Sequence, residues 1–147
     1  MADRVSASIT IGGKVTNAQF AELTSMIEYH DLRTEWDGEV FTPDQIVHGE
    51  PLALHAHETP WGMFDDLEQY CCDHNIAYIR WSGGCAGSFG AERIVYDGKN
   101  GPLNYDVDED DSVVLHGHTI EQLGSMRAIR AYLKAAKITL PALVITD

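Results

Sequence analysis

Bases are scarce in this chain, and their scarcity is its most informative shortage. Lysine and arginine together number 10 against 23 acids among 147 residues, a formal net charge of −13. A surface so negative repels nucleic acid and anionic membranes. Direct nucleic-acid binding and membrane association are therefore not expected, and a basic protein surface is the expected partner. Cysteine is scarce too. Cys71, Cys72 and Cys85 make an odd set with two adjacent, and there is no Cys-x-x-Cys pair. This excludes a regular disulfide framework and fits a reducing, cytoplasmic setting. No apolar run reaches the ~18 residues of a membrane span. The opening Met-Ala-Asp-Arg-Val-Ser lacks the apolar stretch of a signal peptide. Repeats and low-complexity tracts are absent.

What remains is an ordinary globular composition, with 44% hydrophobic and 22% charged residues. The length suits a single domain over 1–147 with a core built without disulfides. Val5–Ile11 alternates Val5, Ala7, Ile9 and Ile11 with Ser6, Ser8 and Thr10, the pattern of a half-buried strand that Gly12-Gly13 should end. Thr16 and Gln19 form a capping box, followed by a helical stripe of Phe20, Leu23, Ile27 and His30. Glu39–Thr42 is expected as a short strand and Leu52–His57 as another, with Leu52, Leu54 and Ala56 on one face and Ala53, His55 and His57 on the other. Thr59-Pro60 is expected to start a second helix with the stripe Phe64, Leu67, Cys71 and His74, which Asn75 should end.

Two strands, Ala77–Ser82 and Glu92–Asp97, flank a loop with glycines at 83, 84, 87 and 90. Strands are then expected around Leu103, Tyr105 and Val107 and over Ser112–His116. Thr119 with Gln122 should cap one long helix through Ala136, and Ala142–Ile145 a last short strand. The expected class is α+β, a mixed or mainly antiparallel sheet with about three helices. Its front half has the ferredoxin-like order β-α-β-β-α-β, extended by C-terminal strands and a helix.

Several patterns bear on chemistry. His55-Ala56-His57 and His116-Gly117-His118 are His-x-His pairs, and on a strand i and i+2 share a face. Side by side, these four could ligate Zn²⁺ or a similar divalent ion, so a His-ligated metal-dependent hydrolase is the alternative function. Cys85 stands in a glycine-rich loop where backbone N–H groups could stabilise a thiolate. The Gly-Gly-x-x-Gly-x-x-Gly loop runs into a strand rather than a helix and has no Gly-Lys-Ser/Thr, which excludes a phosphate loop. Asp106-x-Asp108-x-Asp110 fails as a calcium loop, because Asp111 and Gly117 stand where glycine and glutamate are required.

The acids are concentrated. From Glu22 to Asp73 there are thirteen acids and one base, Arg33, whereas Arg127, Arg130, Lys134 and Lys137 form a basic stripe in the last helix. Trp36 stands among Glu35, Asp37, Glu39 and Asp44, and an aromatic ringed by acids can anchor an interface. Asp65, Asp66 and Glu68 add charge on the second helix, and Phe89 is an apolar loop tip. These nine residues are the expected partner-binding set. The expected function is a cytosolic protein–protein interaction module without catalysis. By charge and size it is comparable to small acidic inhibitors of CRISPR or restriction systems that imitate a nucleic-acid backbone. The basic stripe would pair with an acidic face of a second copy in a homodimer. A regulatory or structural domain, acidic only for solubility, is the remaining alternative.

Overall fold

A computed structural model describes residues 3–147. Its central strand, β1 (Arg4–Thr16), outruns the alternating stretch because it does not stop at the glycine pair. Gly13 takes φ +101°, and a Cβ on Gly12 would collide with the carbonyl oxygen of Pro141. The chain turns there and continues as Gly13–Thr16, which pairs in parallel with β6 (Leu143–Thr146). The capping box at Thr16 then starts α1 (Asn17–Tyr29), with Phe20, Leu23 and Ile27 buried.

The strand expected over Glu39–Thr42 does not form; residues 31–51 are irregular apart from a single 3-10 turn at Pro43–Gln45. The segment is anchored by Leu32 and Phe41, both buried. It bridges to β2 where Arg33 and His55 exchange N–H···O bonds of 3.0 and 2.7 Å, and the Glu50 carbonyl accepts from the Leu143 N–H of the last strand at 3.1 Å. β2 (Leu52–Pro60) runs past the expected helix start, because Thr59 pairs with Val5 and Pro60 with Arg4. The helix α2 (Asp65–Asp73) follows a turn at Trp61 and Gly62, both at positive φ. Its first turn is closed by Glu68, whose Oε2 accepts from the Phe64 N–H at 2.7 Å. Asn75 ends it at φ +55°, as its side chain allows.

β3 (Ala77–Ser82), β4 (Glu92–Tyr96) and β5 (Leu103–Asp106) form an antiparallel meander. The sheet order is β2-β1-β3-β4-β5, with β6 on the far half of β1. β2, α2 and β3 make a split β-α-β unit around β1. The front half is thus compatible with a ferredoxin-like arrangement in which the irregular segment lies along β2 in place of an edge strand. Such a covering also blunts a free edge.

The main core lies between α1, α2 and one sheet face, with Ile9, Ile11, Leu54, Phe64 and Leu67 fully or nearly fully buried. On the opposite face Val95, Tyr105 and Ala136 form a smaller cluster with Ile79 and Tyr132. Residues 112–116 make only one bridge, Val107 to Val113. The Asp108 carboxylate gathers the N–H groups of Asp110 and Ser112 into a turn, and Asp111 sits at φ +60°. The expected long C-terminal helix is two, α3 (Gly117–Leu123) and α4 (Met126–Ala136), so the described residues hold four α-helices where about three were expected. Gly124 is left-handed at φ +76°, and the Ser125 hydroxyl accepts from the Ala128 N–H to restart the helix. Thr119 therefore lies inside α3 and caps nothing. Among the described residues, no helix is long and apolar enough to cross a membrane.

Candidate functional site

Alternation along β2 puts His55 and His57 on the sheet face away from α1 and α2. Beside them the irregular segment makes a tight turn: the Gly38 N–H donates to the Glu35 carbonyl at 3.0 Å, with Asp37 at φ +60°. The turn is braced by Arg33, whose guanidinium donates to the Gly38 carbonyl at 2.6 Å and to Asp31 at 3.1 Å. Its product is the placement of Trp36. The indole centroid lies 4.7 Å from the His55 ring and 5.0 Å from the His57 ring, tilted against both. His57 Nε2 lies 2.9 Å from Asp37 Oδ1, which ties the turn to the strand a second time.

These groups surround a cleft of about 450 Å³, which His30, Arg33, Glu35 and Glu58 also line. It is open and acidic at its rim. The Asp37 side chain is 83% exposed and that of Asp31 68%, so both carboxylates are accessible to a partner. Glu35 and Glu39 are exposed, and Glu35 and Asp37 also border a neighbouring hollow with Glu39. His55 is different. Burial pushes its pKa below the usual imidazole range, and its Nδ1 is buried without a hydrogen-bond partner.

The expected partner-binding residues thus divide. Glu35, Trp36, Asp37 and Glu39 come together at this site. Asp44 and Asp65 are exposed but line neither hollow. Asp66 is paired with His30. Glu68 is no surface charge: its side chain is 13% exposed and pairs at 2.8 Å with Arg80, itself 2% exposed. Arg80 also donates to Glu92 at 2.7 Å, to the Gly62 carbonyl and to Ser82. Phe89 is not a free loop tip. A bridge between Cys85 and Phe89 closes the loop, and the ring lies 6.1 Å from that of Trp61.

The two His-x-His pairs do not meet. His116 and His118 stack on each other at the start of α3, and His116 pairs with Asp106 of β5, at the opposite sheet edge from β2. Four strand steps separate the two edges, roughly 19 Å. Among the described residues, no group of three or more His, Cys, Asp or Glu is placed to hold a metal ion. Cys85 is partly exposed, whereas burial pushes the Cys71 thiol up to about 12.

Residues that sequence reasoning did not assign to this site are Arg33, His30 and Asp31, while Glu58 was weighed only as a carboxylate to complete a His-ligated metal site. Arg33 carried one signal, as the sole base in the acidic stretch. Compared with family models, curated proteins and solved structures, the chain has no match.

Proposed function

We propose that the protein is a non-enzymatic interaction module that takes a basic protein surface onto the Trp36 cleft. The observation that carries this reading is the placement of Trp36. An exposed indole packs at a tilt against the His55 and His57 rings, inside a turn whose neighbouring side chains, Glu35 and Asp37, are acids. A fixed aromatic costs little entropy when a partner covers it, and flanking carboxylates steer a cationic partner toward it. A basic groove that ordinarily holds a nucleic-acid backbone is the surface such a charge distribution fits. Inhibition of a nucleic-acid-binding complex, of the anti-CRISPR or anti-restriction kind, is the consequence we propose. Three unbridged cysteines support a cytoplasmic setting.

The proposal includes a homodimer. Arg127, Arg130, Lys134 and Lys137 are all exposed on or next to α4, and the acidic face of a second copy complements them. Light scattering after gel filtration at low and high salt tests this, with a dimer expected at low salt and its dissociation at high salt.

Affinity capture from bacterial lysate tests the main reading, using wild type, Trp36→Ala and the double variant Glu35→Lys, Asp37→Lys. Nucleic-acid-binding proteins should be retained by wild type at low salt, released by added DNA, and lost with both variants. Equal retention by all three proteins would remove the site from the proposal.

A further inference from the structure

The two C-terminal helices are incompletely buried. α3 buries none of its residues and α4 only Ala136. Ala136 and Tyr132, whose ring lies 5.1 Å from that of Tyr105, hold α4 to the outer sheet face. Ile120 of α3 is 44% exposed and Met126 at the head of α4 is 60% exposed, although an amphipathic helix normally buries such side chains. Val114, just before α3, and Leu103, on the edge strand β5, are exposed as well.

The charges beside these apolar groups carry both signs. At 3.6 residues per turn, Arg127, Arg130, Lys134 and Lys137 fall within an arc of about 80° that begins next to Met126. All four are exposed, and among the described residues none of their side chains is engaged. Acids adjoin them. The Arg93 guanidinium joins the two regions, donating to the Ala136 carbonyl at the end of α4 at 2.7 Å and to Asp111 at 2.6 Å. Asp111 ends a turn in which Asp108, Glu109 and Asp110 are exposed. Asp106 pairs with His116 at the head of α3, and Glu121 is exposed on α3 itself.

A surface that binds its own copy about a two-fold axis must be complementary to itself. This one meets that condition, because a basic stripe and a set of acids stand side by side around exposed apolar groups. A half-turn lays each stripe on the acids of the other copy. The stretch from Glu22 to Asp73 does not meet it: with thirteen acids and one base, it repels its like. Docking of α4 on that stretch would be head-to-tail, which builds rings or open chains rather than a closed pair. We propose that α3, α4 and the turn from Asp108 to Asp111 form the interface of a two-fold dimer. Ile120 and Met126 pack at its centre, and the basic stripe of each copy meets Asp110 and Glu121 of the other. This inference rests on the homodimer proposed above and adds its interface. The Trp36 cleft lies beside β2, at the other sheet edge from β5, so the dimer presents two such clefts to a partner.

The test is a charge swap in the full-length protein, read by light scattering after gel filtration at low salt. One variant carries Arg127→Glu and Arg130→Glu, and the other Asp110→Lys and Glu121→Lys. All four positions are exposed, and circular dichroism confirms that each variant keeps the fold. Wild type should be a dimer. Each variant alone should be a monomer, because it sets like charges against each other. An equimolar mixture should recover the dimer with one copy of each, since both contacts then join opposite charges. Met126→Asp, which changes no charge pair, should also be a monomer. A wild type that stays monomeric overturns the homodimer and this interface together. A wild-type dimer that persists in any of the three variants, or a mixture that stays monomeric, overturns the interface and leaves the homodimer standing.

Discussion

Arg80 and Glu68 form an ion pair of 2.8 Å beneath the sheet, linking β3 to the first turn of α2. Glu68 does two jobs there, since its other oxygen accepts from the Phe64 N–H. Breaking a buried pair by removing one partner leaves an uncompensated charge, which costs about 3–5 kcal/mol. Arg80→Ala should lower the urea-unfolding free energy by about that amount, because both Glu68 and Glu92 lose their cation. Glu68→Gln should cost less, since Glu92 still neutralises Arg80. Equal stability of Arg80→Ala and wild type would mean that the network contributes nothing.

The glycine at the bend of β1 should behave unlike a loop glycine. A Cβ on Gly12 meets the Pro141 carbonyl, so Gly12→Ala should cost about 1–3 kcal/mol and weaken the pairing of β6 with β1. Gly90→Ala has open space, and no positive φ restricts it. Its thermal midpoint should stay within error of wild type.

Acid should loosen the Trp36 site. The folded-state pKa of His55 is lowered by burial, so the unfolded chain binds a proton more readily. His55 therefore lowers stability as pH falls below its ordinary value of 6.5 toward its lower folded value, and is without effect well above 6.5. The groups around it are Trp36, Glu35, Asp37, His57 and Arg33. His55→Gln should flatten this part of the stability-against-pH curve between pH 7 and 5. An unchanged curve would show that other groups set it.

The thiols should react in order of exposure. Cys71, fully buried and raised to about 12, should resist a thiol reagent until the protein unfolds. Cys85 is partly exposed and should react before Cys71 in the native protein. Native-state labelling mapped by mass spectrometry checks the order. Modification of Cys71 ahead of Cys85 would contradict the core packing.

Much of the fold was legible where one local rule acted alone. Alternation from Val5 to Ile11 marked β1, and the Thr16–Gln19 box located the start of α1 to the residue. Legibility failed where a distant contact overrode a local signal. Thr59-Pro60 reads as a helix start, yet Val5 and Arg4 hold both residues in β2, and Glu68 supplies the closure that places the helix later. Gly12-Gly13 reads as a stop, but the approach of Pro141 turns it into a bend. The site was half legible. Trp36 and its acids stood out by composition, and His55 and His57 by spacing. Their contact did not, because the turn carrying Trp36 is closed by the Gly38 N–H on the Glu35 carbonyl and braced by the Arg33 guanidinium on the Gly38 carbonyl, bonds that leave no periodic trace. Glu68 looked like a surface acid because nothing near it in sequence announces Arg80, twelve residues on.

The proposed function requires that Trp36 and its carboxylates form a cation-selective surface. The direct measurement is chemical-shift mapping of the ¹⁵N-labelled protein with an arginine-rich peptide, at low and physiological salt. The predicted result is saturable binding centred on Glu35, Trp36, Asp37 and Glu39, at least tenfold weaker in Trp36→Ala and weakened further by salt. Shifts spread evenly over all exposed acids, including Asp108 and Asp110, or equal affinity in Trp36→Ala, would contradict it.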